Sequence, residues 1–177
     1  MFNILFRGDI RTDESLKDTP RRVWKMWNEF FQHFDPKSVM KTFPCDSKDL
    51  VVQTKIPVRA LCEHHFLPFF GHAAIGYVPD GQVIGLSKFA RLVKGLGMRR
   101  PTIQEDLTQN IADALWKHLG PKGVIVVMSA EHTCMTVRGA QAPGVQTMTS
   151  AVRGIFETDS DLRSEFFDLL EARPNLG

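Results

Sequence analysis

Apolar positions recur along the chain with two periods, and the changes between them mark out the elements. Over residues 15–34, Val23, Trp27, Phe30, Phe31 and Phe34 fall at helical spacing. Thr19 is placed to cap this segment, Pro20 suits the first helical position, and Asp35-Pro36 stops it. Residues 36–48, with Pro36, Pro44, Asp46 and Ser47, read as a connecting loop. Between 50 and 60 the period drops to two. Leu50, Val52, Thr54, Ile56 and Val58 alternate with Val51, Gln53, Lys55 and Arg59, which predicts a strand, and Pro57 calls for a bulge or an edge. A second extended run, 69–78, leads into the turn Pro79-Asp80-Gly81, and 82–86 returns from it. Ser87 reads as the N-cap of the helix KFARLVKGL, which Gly95 and Gly97 weaken and end. The clearest helix is 103–119, with Ile103, Leu107, Ile111, Ala114, Leu115 and Leu119 on one face and Gly120-Pro121 as the stop. A short apolar strand follows at 124–128, extended chain at 131–138, another strand at 147–156, and a closing helix at 162–170 capped by Ser160. The order predicts one α+β domain, a mainly antiparallel sheet with helices packed on one face.

Composition adds boundaries. The 177 residues are 43% apolar and 24% charged, which suits a globular domain with its own core. No stretch approaches the roughly 20 apolar residues of a membrane span. The N-terminus lacks the basic start and small-residue cleavage site of a signal peptide, so a cytoplasmic protein is expected. A net charge of +2 gives no reason to expect nucleic acid or a membrane surface as partner. The three cysteines, Cys45, Cys62 and Cys134, are too few and odd in number for a disulfide framework. In a reducing compartment they are free to serve as metal ligands or nucleophiles.

The densest chemistry is Cys62-Glu63-His64-His65. A C-x-x-H spacing can place Cys62 and His65 on one zinc ion, and catalytic zinc sites use three protein ligands with one position open. A buried thiol beside surface histidines is the competing reading. In the run 131–138, strand alternation would turn His132, Cys134 and Arg138 to one face, which is poor material for a dry core. An exposed polar strand face remains the alternative. Ser87, Lys88 and Arg91 would stand at a helix N-terminus, which favours phosphate, although Ser87 could simply cap and the cations be solvated. Thr102-Ile103-Gln104-Glu105 fits a capping box, while Gln104 and Glu105 could instead hold a guanine edge.

Three segments together carry a resemblance: CEHHFLPFFGHAAIGYVPDGQVIGLSKFARLV, RRPTIQEDLTQNIADAL and AEHTCMTVRG closely resemble GTP cyclohydrolase I. LKDTPRRVWKMW resembles that family's first shared helix, so the likeness runs from about residue 15 to the C-terminus. The resemblance implies a short extension over 1–14 and a single catalytic domain over 15–177. It also implies the tunnelling fold, whose sheets close into barrels on oligomerisation, usually as a homodecamer of two pentamers with active sites between subunits. The implied metal is zinc, held by Cys62, His65 and Cys134, with His64 and His132 as proton-transfer residues. Gln104 and Glu105 would hold guanine, which reverses the capping preference for Glu105. Ser87, Lys88, Arg91 and Arg138 would hold the triphosphate, joined by Arg22 from a neighbouring subunit. The implied reaction converts GTP to 7,8-dihydroneopterin triphosphate with release of formate.

The sequence departs from the family pattern in three places. Few residues precede the first shared helix, Lys94–Met98 replaces a segment richer in aromatics, and Ala142-Pro143-Gly144 replaces an Arg-Gly loop. A nucleotide-binding protein of the same fold without turnover is the alternative, and the loss of His64, His132 or a ligand would have favoured it. A structural zinc module would need a fourth ligand, for which Glu63 and Cys45 are the nearby candidates. A sister enzyme using a cysteine nucleophile would need Cys45.

Overall fold

A computed structural model describes residues 14–31 and 33–171. The N-terminal reading over 1–13 and the Gln32 portion of the first expected helix lie outside the described residues. Helix α1 is Thr19–Phe30, with Pro20 in its first turn. It is shorter than 15–34, and neither Thr19 nor Asp18 caps it through a side chain. A 3-10 turn, Pro36–Val39, follows, then β1 (Thr42–Pro44), β2 (Val51–Leu61), β3 (Pro68–Val78) and β4 (Gln82–Ile84). Helices α2 (Ser87–Gly97) and α3 (Gln104–Leu119) come next, then β5 (Gly123–His132) and the single helical turn α4 (Thr133–Thr136). The chain continues with β6 (Thr147–Gly154), a second 3-10 turn at Ile155–Glu157, and α5 (Ser160–Glu171).

The main sheet has the order β2-β3-β5-β6 and is antiparallel throughout, while β1 and β4 form a separate antiparallel pair. Pro57 sits in the edge strand β2, where its missing N–H interrupts no interior ladder. A register shift lies just before it, between Gln53 and Ile56.

Side-chain alternation divides the core between the two sheet faces. On one face Val58, Ile75, Tyr77, Val124, Val126 and Met128 meet Phe89 and Leu92 of α2 and Leu107, Ile111 and Leu115 of α3. Each such fully buried side chain contributes about 1.5–3 kcal/mol relative to exposure. On the other face Ile125 and Val127 meet Phe166 of α5, and Gly76 leaves the space that the Phe166 ring fills. The two major helices therefore lie on one face as expected, and α5 covers part of the opposite one.

Local signals in the sequence misled in three places, at Ser87, Thr102 and Ser160, each for a physical reason. Helix α2 ends at Gly97 as read, and it passes through Gly95. The bare Cα of Gly95 lets the Phe34 ring lie against the helix, and Gly97 does the same for the Arg59 carbonyl of β2. Ser87 makes no capping bond. The capping box at Thr102 does not form, because the Thr102 N–H donates to the Leu61 carbonyl (2.9 Å) and bridges to β2 instead. At α5 the cap is Asp159, whose carboxylate accepts from the Leu162 N–H at 2.9 Å, in place of Ser160. The stop of α3 is as read: Gly120 adopts the left-handed conformation (φ 64°) and its N–H returns to Trp116.

Candidate active site

The bridge between Thr102 and Cys62 sets the site's frame. Leu61 and Glu63 exchange backbone bonds with Thr102, so the end of β2 is tied to the start of α3. Beyond Cys62 the chain makes a tight turn, closed by Phe66 N–H to the Cys62 carbonyl (2.8 Å) and Cys62 N–H to the Leu67 carbonyl (2.9 Å). Phe66 adopts a positive φ of 55°, an uncommon state for a side-chain-bearing residue that tends to persist only where its surroundings hold it. Trp27 of α1 packs toward this ring at 6.3 Å between centroids. The turn projects His64 and His65 beside the buried Cys62 thiol, with ring nitrogens 3.8 Å and 4.0 Å from its sulfur.

The third candidate ligand, Cys134, arrives by a route the alternation pattern did not predict. β5 ends at His132, and Thr133–Thr136 winds into a helical turn rather than continuing as a strand. Two threonines hold that turn: Thr133 donates to the Pro68 carbonyl and Thr136 to the His132 carbonyl. The ligand atoms of Cys62, His65 and Cys134 all lie within 4.8 Å of one another. Tetrahedral ligation at about 2.0–2.3 Å places ligand atoms roughly 3.5–4 Å apart, so small side-chain adjustments suffice for a shared ion. Burial raises the Cys134 thiol pKa, and the neighbouring Cys62 raises it further. A bound cation would oppose both effects. The two thiols and imidazole therefore form a donor set that fits a metal ion, and among the described residues no fourth His, Cys, Asp or Glu joins them.

His132 stands opposite Phe69 across the β3–β5 ladder, and its ring stacks on Phe69 at 4.6 Å with planes 13° apart. Burial lowers its pKa from 6.5, and the Glu105 carboxylate offsets part of that. Its Nε2 lies 2.9 Å from Oε1 of Gln104. Gln104 is only 1% exposed, with every polar atom of its side chain engaged inside the chain. Glu105, one residue further on, is exposed on the pocket wall.

One pocket of about 210 Å³ gathers Cys62, His64, His65, Gln104, Glu105, His132 and Cys134. Arg138 is exposed but close enough for its charge to lower the Cys134 pKa slightly. Ser87, Lys88, Arg91 and Arg22 do not line this pocket; Arg91 faces a different cavity with Glu29 and His33, and Arg22 lies 4.0 Å from Asp18. A volume of this size falls below the ~300–1,000 Å³ of ordinary small-molecule pockets. Sequence reasoning missed Phe69, Thr108 and Thr149. Thr108 was findable at i+4 from Gln104 on a helical face, whereas Phe69 and Thr149 reach the site only through strand register.

Comparisons with known proteins agree on one family. The family model described as GTP cyclohydrolase I matches residues 3–171. GTP cyclohydrolase 1 of Geobacillus kaustophilus is 47% identical over 169 residues, covering 93% of this chain and 89% of the relative. The protein of the same name from Halalkalibacterium halodurans is 49% identical, with the same coverage of both. That from Mycobacterium marinum is 52% identical over 88% of this chain and 79% of its own length.

Proposed function

The chain belongs to the GTP cyclohydrolase I family, and from that premise we propose that the pocket between Cys62 and Cys134 is the base-handling half of its active site. The reaction is the hydrolysis and rearrangement of GTP to 7,8-dihydroneopterin triphosphate with release of formate. The observation that carries the assignment is the convergence of Cys62, His65 and Cys134 within 4.8 Å in a pocket that also holds Glu105, His64 and His132.

Zinc is the proposed ion for this donor set, and when bound it supplies Lewis acidity that makes hydroxide available near neutral pH. The chain's own residues bind, orient and move protons. Glu105 accepts two N–H donors from the guanine edge, which turns the imidazole ring of the base toward the cluster. His64 holds the proton delivered to N7 as water adds at C8. Opening of that ring leaves a formamide, which a second water hydrolyses to formate, and ribose opening, an Amadori-type rearrangement and reclosure with loss of one water follow, each requiring proton shifts. His132 carries protons in those steps. Gln104, expected on guanine, has its polar atoms already committed, so its part lies in holding His132.

The triphosphate half is proposed to come from across a subunit boundary. Ser87, Lys88 and Arg91 of one chain, with Arg22, meet Arg138 and the pocket of another, which fits their placement outside the pocket within one chain. A homodecamer of two pentamers, closing the sheets into barrels, is the assembly this reading uses, with residues 15–177 as one catalytic unit. The proposed location is cytoplasmic; no described helix is long and apolar enough to cross a membrane.

Incubation with GTP and zinc, followed by assays for formate and for a fluorescent neopterin after oxidation, tests the reading. Stoichiometric formate and pterin are expected. GTP binding without formate release would overturn it in favour of a binding protein.

A further inference from the structure

Buried between α3 and strands β5 and β6 is a hydrogen-bond chain whose direction is fixed at both ends. The Gln104 amide nitrogen lies 2.9 Å from the Thr147 carbonyl, 3.3 Å from the Met128 carbonyl and 3.1 Å from the Thr149 hydroxyl. Carbonyl oxygens only accept, so this end of the amide must be the NH2 group. Turning the amide over would set its oxygen against two backbone oxygens in a site 1% exposed. Oε1 therefore faces His132, and because it too can only accept, the His132 nitrogen 2.9 Å away must carry a proton.

The remaining links run the same way. The Thr108 hydroxyl donates to the Gln104 backbone carbonyl at 2.8 Å, so the 2.7 Å contact between Thr108 and Thr149 is donated by Thr149. That leaves the Thr149 oxygen free to accept from Gln104. Every donor in the chain has an acceptor, and reversal would break it at the backbone carbonyls. The stack on Phe69 restrains the ring plane meanwhile.

We propose that Gln104 is a positioning residue that holds the His132 ring in one orientation and one tautomer, with Nε2–H donated to the Gln104 Oε1. The kinetic arm of its test rests on the proposed role of His132 in the reaction. The ordering role resembles that of any group that holds a catalytic imidazole in one tautomer.

Two measurements test it. Solid-state nitrogen NMR of the zinc-loaded assembly, labelled in histidine and assigned by loss of signal in His132→Asn, reads the tautomer at pH 8 without altering Gln104. A protonated Nε2 with an unprotonated Nδ1 is expected, and the opposite tautomer or a doubly protonated ring overturns the proposal. Because this arm requires no turnover, its outcome is separate from failure of the GTP reaction. In kinetics, Gln104→Met should keep its zinc and lower kcat by about 10²-fold, the usual contribution of a well-placed proton carrier, with KM for GTP nearly unchanged. A loss confined to KM would instead make Gln104 a guanine contact, and an unchanged kcat would remove its role; either contradicts the proposal.

Discussion

The two halves of the proposed site are built differently. Three candidate ligands, three further functional side chains (His64, Glu105 and His132) and their supporting hydrogen bonds converge in one chain, held by the Leu61–Thr102 bridge, the Phe66 turn and the Thr133 anchor. Of the groups expected on the triphosphate, Arg138 lies near Cys134 and the others stand apart. Ser87 and Arg91 are exposed along α2, Arg22 is exposed on α1, and none of them reaches the pocket. Chemistry on the base depends on placement to a fraction of an ångström, which backbone pairing within a chain supplies. Holding a triphosphate depends on positive charge over a larger area, which a neighbouring surface can bring.

The predictions separate these halves. Cys134→Ala should lose both metal and turnover, by about 10³-fold or more, because Lewis acidity supplies several kcal/mol of transition-state stabilisation. Metal analysis beside a formate assay checks it, and retained zinc with near-normal turnover would remove Cys134 from the ligand set. His64→Ala should keep its zinc and lower kcat by about 10²-fold or more as a proton donor is lost. Arg91→Ala should leave zinc and fold intact and raise KM for GTP by about 10- to 100-fold, the equivalent of one charge-assisted hydrogen bond. Gly95→Ala, which forces Phe34 away from α2, should cost about 1–3 kcal/mol in urea unfolding with zinc stoichiometry unchanged. An equal loss of zinc in either of the last two variants would erase the distinction between the halves.

Periodic elements were legible in the sequence, and the positions of some site residues were legible only through the family likeness. The 103–119 pattern yields α3 almost residue for residue because its apolar face is continuous and Gly120 adopts the left-handed stop. The run 131–138 shows the limit. Alternation would turn Cys134 inward along a strand, but the strand ends at His132 and a helical turn brings Cys134 to the same place. The bonds that make this turn, Thr133 to Pro68 and Thr136 to His132, join a local pattern to a partner 65 residues away. Capping signals at Ser87 and Thr102 failed for a related reason: the Thr102 backbone pairs with β2, and no local pattern announces a contact of that range. The burial of Gln104 was equally hidden, since its acceptors sit on β5 and β6.

The division of the site between chains is tested most directly by complementation. Arg91→Ala retains the metal half and Cys134→Ala retains the cationic half, so co-assembled from equal amounts they should form native sites at about a quarter of the subunit boundaries of a symmetric ring. The account predicts formate release near that fraction of the native rate at a GTP concentration where each variant alone is nearly silent. Mixed assemblies no more active than the two variants measured separately would contradict it.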